Sequence, residues 1–549
     1  MSSFEPIVIV SPRADVKADM QRNHLIKIGA SRIEPQSIPA LSWGSAGATP
    51  VSAQWSINPP STQTLVDRYV RVKVYLEVKC DGLPFQLGLN DALRQFPIAS
   101  ITDTITVQVN GETVSQNTGD WVHALSLYGN NVIDRNNSVS TSPAMPDSFQ
   151  QYSDWSVYGS ARNPLASYGE NSTEQTRGGA DYVVAVDGKS FRIELVEPLF
   201  LSPFYSGYGD QVEAMVNVNQ LNITMRWSSN LRKIMSHSSL GANIGNLNIS
   251  FYQNPEILLN YLSPDLTQAL PVVQTLPYSQ FQEYIRPVSS LASNASTTLL
   301  SDSVKLSMIP ERMYLFVRHS RTTMTENISD AFLKIDRVRI TWNNSSSLLG
   351  TASPQELFEI SKRAGLDMTY PQFRKFRGSV FCCQFGKDIG LLDSEAPSVS
   401  GQYTISSQVD VTNVSGSAFD GEFFTIFQMG GQFSVFENGA RASIGMLTQG
   451  DVLNARKSAP RMDWHEAHRL SGGGFFQDLK RTVNKIAHGV SSAAHFVGNI
   501  ASKIPFPLAQ QIAGVANSVG RVSDVVGSVT GGRMSGGRPS GGAMSRRRM

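Results

Sequence analysis

The sequence is poor in cysteine and in charge, and both shortages narrow the class of protein. Its 549 residues include three cysteines, too few for a disulfide scaffold, so Cys80, Cys382 and Cys383 are expected to be buried free thiols. Charged residues make up 17% of the chain, whereas about 25% is usual for a soluble protein. Serine, threonine, asparagine and glutamine take their place, which is typical of β-rich proteins that bury much of their surface against neighbours.

The sequence also lacks the long apolar run of a secretory leader or a membrane span. Near the N-terminus the apolar run extends only from Ile7 to Val10, and Pro12 and charged residues follow it. No stretch reaches the ~18 apolar residues that a membrane-spanning helix needs. We therefore expect a protein that is not secreted, and we attribute its Asn-x-Ser/Thr triplets to polar β loops.

Catalytic and metal-binding motifs are missing too. The residues Gly188 to Ser190 look like the end of a phosphate loop, but Val183 occupies the position where such a loop needs its first glycine. His465 and His468 are three residues apart, not four as in the zinc-protease helix, and no Gly-x-Ser-x-Gly motif occurs. We accordingly expect no catalytic residue, no cofactor and no metal site.

The charge that is present is distributed unevenly along the chain. From Ser471 to Met549 there are ten basic and two acidic residues, so this tail has a net charge of +8, and the rest of the chain has −6. An acidic body with a basic tail indicates two roles. Only the tail is suited to contact anions such as a phosphate backbone or a membrane.

Most of the body shows the period-two alternation of β-strands. Apolar and polar residues alternate from Val70 to Cys80, as in a strand with one buried face. A second such strand, from Ile105 to Val109, leads into Asn110-Gly111, a strong signal for a tight hairpin, and Gly430-Gly431 is expected to turn the last pair of strands. Short strands at this spacing favour a sandwich or barrel. Further strands are predicted at Phe191 to Val196, Leu221 to Trp227, Leu247 to Phe251, Met313 to Val317, Leu333 to Trp342, Ser379 to Phe385, Tyr403 to Val411 and Phe423 to Phe436.

Two short helices interrupt the β region at matching places. One is predicted from Asp120 to Tyr128, and the other follows Ser353, an N-cap, with a proline at the first helical position and a glycine just beyond the end. Each follows a strand and a polar loop, and the strand residues Ile105-Thr106 and Ile340-Thr341 are 235 residues apart. Two tandem β barrels would show such a repeat. One irregular β protein with two unrelated helices is the alternative.

The tail shows the pattern of an amphipathic helix. Apolar residues recur after Gly474 at spacings of three and four, until the proline-containing segment from Lys503 to Pro507 ends the helix. A second apolar face, from Leu508 to Val529, contains three glycines, each of which weakens a helix. This segment is therefore expected to gain order by docking on protein or on a membrane. A helical hairpin packed under the body is the alternative. The residues expected to be membrane-active are Phe475, Phe476, Leu479, Val483, Ile486, Val490 and Val497.

The last stretch, 531–549, is rich in glycine, serine and arginine. It is expected to be disordered, because it has too little apolar surface to bury. Arg546, Arg547 and Arg548 are its candidate nucleic-acid-binding residues, which would act by releasing counterions from phosphates.

Several segments of the body, within residues 60 to 455, resemble the major capsid proteins of the adenovirus–polinton–adintovirus group of double-stranded DNA viruses. The resemblance lies in the pattern of the segments, since none of them is a diagnostic motif by itself. The segments that carry it are Ser353 to Ser361, Ala364 to Phe373, Gly378 to Pro397 and Ala442 to Asn454, with Arg94 to Ser100 and Val109 to Val114 alike in kind.

The resemblance implies an all-β fold of two tandem jelly-roll barrels with short loop helices, followed by the helical and disordered tail. It implies a hexon-like structural protein, not an enzyme, that forms homotrimers, and these pseudo-hexameric capsomers build an icosahedral shell around a double-stranded DNA genome. The implied domains are an N-terminal arm (1–60), a first jelly roll (61–265), a second jelly roll (266–455), a linker (456–473), the amphipathic helical segment (474–530) and the basic tail (531–549).

The same resemblance implies the partners and the location. The partners are neighbouring capsomers, the vertex (penton) protein, genomic DNA through the basic tail and a host membrane through the amphipathic segment. The location is the virion, after assembly in the host cell, in the nucleus rather than the cytoplasm.

The tail carries a second resemblance. Adenoviral-type cysteine proteases cut after a hydrophobic residue, any residue and Gly-Gly, and two segments fit this pattern. The released piece, 474–537, resembles the adenoviral membrane-lytic internal protein, although here it is fused to the capsid protein, and a glycine-rich linker with chance matches is the alternative. The candidate cleavage residues are Leu470, Gly472, Gly473 and Gly474 at the first site and Met534, Gly536, Gly537 and Arg538 at the second.

Two other functions stay open on sequence grounds. One is the jelly-roll capsid protein of an RNA virus with a lytic C-terminal peptide. The other is a non-viral β-sandwich that binds or hydrolyses glycans.

Overall fold

Two sets of antiparallel strands, one from each half of the chain, make up the β structure. Both sets belong to one compact unit that extends to Arg456. No helix among the described residues is long and apolar enough to span a membrane. The computed structural model describes residues 32–458 except 62, 88–89, 95, 130–181, 205–213, 229–233, 238–241, 264–269, 321–331, 377 and 416.

The first half forms two large sheets, which we name A and B. The strands are β1 (Arg32–Pro39), β2 (Ser52–Ile57), β3 (Leu65–Val66), β4 (Arg71–Cys80), β5 (Asp91–Leu93), β6 (Thr102–Val109), β7 (Glu112–Gln116), β8 (Tyr182–Val184), β9 (Ser190–Pro198), β10 (Leu221–Trp227), β11 (Met235–His237), β12 (Leu247–Phe251) and β13 (Glu256–Ser263). Sheet A has the order β1-β13-β4-β9-β8, with β12 beside β4 and β3 beside β13. Sheet B has the order β2-β10-β6-β7, and β5 and β11 form a separate pair.

The second half forms two more sheets, C and D. The strands are β14 (Val273–Leu291), β15 (Ser296–Leu300), β16 (Val304–Met308), β17 (Arg312–His319), β18 (Lys334–Trp342), β19 (Ser345–Leu348), β20 (Val380–Gln384), β21 (Ser400–Thr412), β22 (Phe419–Phe436) and β23 (Gly439–Ile444). Sheet C has the order β14-β22-β17-β20, with β23 beside β22. Sheet D has the order β15-β21-β18-β19, with β16 beside β21.

The two halves repeat one strand order. Strands β1, β13, β4 and β9 of sheet A correspond to β14, β22, β17 and β20 of sheet C, and the four strands of sheet B correspond to the main four of sheet D. Two facing antiparallel sheets with this order form a jelly-roll barrel. The predicted tandem pair of barrels is therefore confirmed.

Each barrel is held together by the apolar inner faces of its two sheets. In β4, for example, Val72, Val74, Leu76 and Val78 lie in the first barrel's core, with exposed fractions of 2% or less. Burying an aliphatic side chain of this size contributes about 1.5–3 kcal/mol, so the alternation read from the sequence sets which face of each strand turns inward.

The predicted hairpin and helices occur where the sequence placed them. Asn110 and Gly111 both have positive φ and connect β6 to β7. The helix after Ser353 has the full capping box, because the Ser353 hydroxyl accepts from the Glu356 amide and the Glu356 carboxylate accepts from the Ser353 amide. The helices are α1 (Pro97–Ile101), α2 (Val122–Gly129), α3 (Pro354–Arg363), a π-helix (Gln372–Phe376) and α4 (Gln449–Ser458).

The expected turn at Gly430-Gly431 was wrong. Strand β22 runs without interruption through both glycines, and the turn lies at Glu437-Asn438, between β22 and β23. A Cβ atom on Gly430 would overlap the Glu311 carboxylate, and one on Gly431 would overlap the Ser443 carbonyl. The two glycines are needed for close packing within the sheet, not for a change of direction.

A buried acid at the end of sheet A gives a prediction about pH. Glu197 accepts hydrogen bonds from the amides of Ile98 and Ala99, both at 2.9 Å, and burial raises its pKa to about 7 in spite of these bonds. Because the pKa of Glu197 is higher in the folded than in the unfolded chain, its protonated carboxyl contributes full stability below pH 4.5. This contribution is lost as pH rises through about 7. We expect the wild type to lose about 2–3 kcal/mol of unfolding free energy relative to Glu197→Gln between pH 5 and pH 8.

Urea unfolding of both proteins at several pH values checks this expectation. Glu359→Gln, on the exposed side of α3, is the matched control and should follow the wild type at every pH. If the wild type and Glu197→Gln change in parallel across this range, the buried carboxyl does not titrate there and the prediction is wrong.

Candidate functional site: the seam between the barrels

The outer face of sheet C is apolar and is covered by helices from both halves of the chain. Helix α2 of the first barrel lies on it together with α3 and the π-helix of the second barrel. Every residue of α2 from Val122 to Tyr128 is buried. We call this contact the seam. Its buried apolar side chains are Trp121, Ala124, Leu125, Leu127, Tyr128, Tyr314, Phe316, Phe332, Phe358, Ala364, Leu366, Phe373, Val380, Cys382, Phe424 and Ile426.

Helix α2 is fixed to the second barrel at both ends. At its start, the Trp121 ring lies 4.9 Å from the Phe281 ring of β14. At its end, the Tyr128 hydroxyl donates to the carbonyl of Val380, and the amide of Asp367 donates to the carbonyl of Leu127 at 2.9 Å. Burial raises the pKa of Tyr128 well above its ordinary value, so this hydroxyl stays protonated and remains a donor.

A buried ion pair joins the barrels beside this helix. Arg318 of β17 and Asp120 are 3.1 Å apart, with side chains 2% and 8% exposed. The same guanidinium donates to the Gly119 carbonyl at 3.4 Å and lies over the Phe424 ring, 4.9 Å from its centroid. Charges removed from water in this way persist only when they are paired, so the pair constrains how the barrels meet.

Backbone and side-chain bonds continue the seam along the barrel edges. The Gln116 side chain of β7 bonds both the amide and the carbonyl of Phe281, each at 3.3 Å. Asn117 donates to Glu283 at 2.9 Å, and the Ala442 amide of β23 donates to Glu112 at 3.0 Å. The edge strand of sheet B is thereby tied to two strands of sheet C.

The cores of the two barrels also join. Leu276 and Tyr278 of β14 and Phe433 and Val435 of β22 belong to the same buried cluster as the inner face of the first barrel. Burial, with the nearby Glu112 carboxylate, raises the pKa of Tyr278 to about 12, so that hydroxyl is neutral. Apolar packing, an ion pair and a shared core all join the two barrels. The barrels therefore form one rigid building block.

The described part of the chain shows no metal site, phosphate loop or reactive cysteine. It contains no cluster of three or more histidine, cysteine or acidic side chains suited to a metal ion. Gly188 lies in the tight turn between β8 and β9, and the Lys189 amide donates to Asp187, so the rejected phosphate loop is an ordinary hairpin. Cys80, Cys382 and Cys383 are free and buried, and burial raises the pKa of each thiol, as expected of inert cysteines.

The site residues named from the sequence all lie in the tail. The candidate cleavage, membrane-active and DNA-binding residues, from Leu470 onward, are outside the described residues. The seam itself was missed. Its sequence signals were present, however: apolar spacing at Trp121, Leu125 and Tyr128, and an arginine, Arg318, directly after the apolar run of strand β17.

Two family models match this chain. The first domain of the Sputnik virophage major capsid protein matches residues 2–185, and the C-terminal domain of major capsid protein V20 matches residues 281–431. The putative capsid protein V20 of Sputnik virophage is 29% identical over 571 aligned positions, which cover 95% of this chain and 94% of that protein.

Solved structures agree with these matches. A chain in the cryo-EM structure of the Sputnik virophage superimposes with a TM-score of 0.72 and 30% identity, over 86% of this chain and 99% of that one. The mavirus major capsid protein superimposes with a TM-score of 0.63 over 84% of this chain and all of its own, at 15% identity, which shows a shared fold.

Proposed function

The chain belongs to the Sputnik virophage major capsid protein family, and we propose that three copies of it form a pseudo-hexameric capsomer of an icosahedral shell. The family is one of structural capsid proteins, which agrees with the expectation that this chain is not an enzyme. The glycan-binding alternative is set aside for the same reason.

One observation carries the capsomer proposal: two barrels with one strand order are locked side by side by the seam. Three such blocks offer six similar barrels, which suits a position with six neighbours in an icosahedral shell. We propose the division between the barrels expected from the sequence, 61–265 and 266–455 with a linker (456–473) after them, with one change. The first barrel begins at β1, because β1 and β2 lie inside the expected arm (1–60) but belong to sheets A and B.

The test is the mass of the purified chain in solution, measured by multi-angle light scattering. We expect the mass of three chains at micromolar concentration. A monomer that does not associate at any concentration up to the solubility limit contradicts the capsomer.

We further propose that the tail gives the capsid a second activity. The supporting features are the charge of +8 after Leu470, the apolar face of the predicted helix from Phe475 to Val497, and Arg546 to Arg548 at the end. We infer that the basic end contacts a double-stranded DNA genome and the amphipathic segment a host membrane. Affiliation with the wider adenovirus–polinton group, a vertex-protein partner and nuclear assembly belong to the same proposal.

Cleavage of the tail by a viral cysteine protease gives a separate prediction. Chains from mature particles should end at Gly473 and be accompanied by the fragment 474–537, because Leu470 and Met534 each precede a Gly-Gly pair at the same spacing. Intact-mass spectrometry of particle proteins measures both species. Gly473→Val should retain the fusion. Gly541→Val, in a Gly-Gly pair preceded by Pro539, should be processed normally. Full-length chains in infectious wild-type particles would show that the tail is a fixed extension.

A further inference from the structure

The chain contains two Asn-Gly pairs, Asn110-Gly111 and Asn438-Gly439. Such a pair can lose its side-chain amide without an enzyme. The glycine nitrogen attacks the side-chain carbonyl carbon of the asparagine, ammonia leaves and a cyclic succinimide forms. Water then opens the ring, which gives either aspartate or isoaspartate, and isoaspartate has one more methylene group in the main chain. Because glycine has no Cβ atom to hinder this attack, the surroundings of each asparagine decide whether it reacts.

Asn110 is held in place in the turn between β6 and β7. Its side-chain nitrogen donates to the carbonyl of Asn217 at 2.6 Å. Its side-chain oxygen accepts from the amides of Asn219 and Gln220, at 2.8 Å and 3.1 Å. All of these bonds must break before the side-chain carbonyl can turn toward the Gly111 nitrogen, so the structure protects Asn110.

Asn438 has no such restraint. It lies with Glu437 in the turn between β22 and β23, and both residues are exposed. In the described part of the chain, the Asn438 side chain forms no hydrogen bond. Gly439 pairs with Phe436 at the last position of the β22–β23 ladder, so only a terminal pair has to open for the attack.

The glycine after Asn438 is itself needed for packing. A Cβ atom on Gly439 would lie 2.8 Å from the ring of Phe436. The fold therefore retains a reactive Asn-Gly pair in an exposed turn.

The same turn contacts the first barrel. The Asn219 side chain donates to the carbonyl of Glu437 at 2.6 Å. Deamidation of Asn438 places a new carboxylate directly after Glu437, and isoaspartate also lengthens the main chain at this point. Both changes act against the contact between Asn219 and the turn.

We propose that Asn438 is a site of spontaneous deamidation in the folded chain, and that its conversion loosens the contact between the β22–β23 turn and Asn219. Water is the only co-reactant and ammonia is the leaving group. Each chain therefore gains one negative charge at this turn as it ages. The inference concerns the single chain and does not depend on the proposed trimer.

Peptide mass spectrometry of the purified full-length chain tests the site. After incubation in mildly alkaline buffer, we expect conversion at Asn438 to be about a hundredfold faster than at Asn110, because several hydrogen bonds hold Asn110. The same chain unfolded in urea is the control, and its two Asn-Gly pairs should convert at similar rates. Equal rates in the folded chain, or an unchanged Asn438 after the unfolded chain has converted, would overturn the proposal.

Hydrogen exchange tests the loosening of the contact. Amides at the end of β22 and the start of β23 should exchange about fivefold faster in the incubated wild type, as expected for the loss of one hydrogen bond. Asn219→Ala should show the same increase without incubation. Asn438→Gln, which resists ring formation, should show no increase after the same incubation. A converted wild type that exchanges like Asn438→Gln means that deamidation leaves the contact intact, and this part of the proposal is then wrong.

Discussion

Replacement of Asp120 by alanine is expected to destabilise the protein by about 3–5 kcal/mol. The substitution removes the ion-pair partner of the Arg318 guanidinium, whose side chain is 2% exposed, and the desolvation cost of this buried charge exceeds what the Gly119 carbonyl and the Phe424 ring return. Chemical denaturation with a fluorescence readout measures the loss. The seam tryptophan, Trp121, is next in sequence to Asp120 and reports on the region directly.

Two further variants test whether the loss of stability is specific to a buried ion pair. Glu194→Ala breaks the Lys73–Glu194 pair, whose carboxylate is 55% exposed, and should change stability by about 0–1 kcal/mol. Adding Arg318→Met to Asp120→Ala should recover part of the loss, because the orphaned charge is gone. Equal losses for Asp120→Ala and Glu194→Ala would show that the ion pair does not hold the barrels together.

Replacement of Gly378 by alanine is expected to prevent folding or to cost more than about 4 kcal/mol. Gly378 has φ of 80°, and a Cβ atom there would overlap the carbonyl oxygen of Phe332. That oxygen belongs to the backbone of a buried seam residue, so it cannot swing away as a flexible side chain would. The soluble yield and the midpoint of thermal unfolding measure the effect.

Gly390→Ala is the matched control for this substitution. A Cβ atom on Gly390 meets nothing within 4 Å, so stability should change by about 0.5 kcal/mol or less. If Gly378→Ala melts within a few degrees of the wild type, the backbone approach between Gly378 and Phe332 is looser than the structure describes.

Local sequence signals predicted the elements that depend on neighbouring residues. The Asn110-Gly111 hairpin and the Ser353 capping box are set by a few adjacent residues, and both occur as expected. The strands β10 and β12 begin and end at their predicted residues, because their apolar alternation is regular. The repeat of strand, hairpin and helix 235 residues apart reflects the shared order of the two barrels.

Elements that depend on distant contacts were not predicted. Strand β14 spans 19 residues but contains Pro277 and Pro287, which argue against a strand. Both are tolerated because β14 pairs, within the described residues, only with β22 and keeps its other edge free of ladder bonds. The partner of Arg318 is 198 residues away in sequence, so no local pattern reveals it.

We propose that this chain is a rigid two-barrel block and that three copies of it form a capsomer. Single-particle cryo-EM of the soluble oligomer tests it most directly. We expect a threefold-symmetric particle with six barrel densities, in which each pair joined by α2 belongs to one chain. A twofold dimer, or single chains whose two barrels vary in relative orientation from particle to particle, would contradict it.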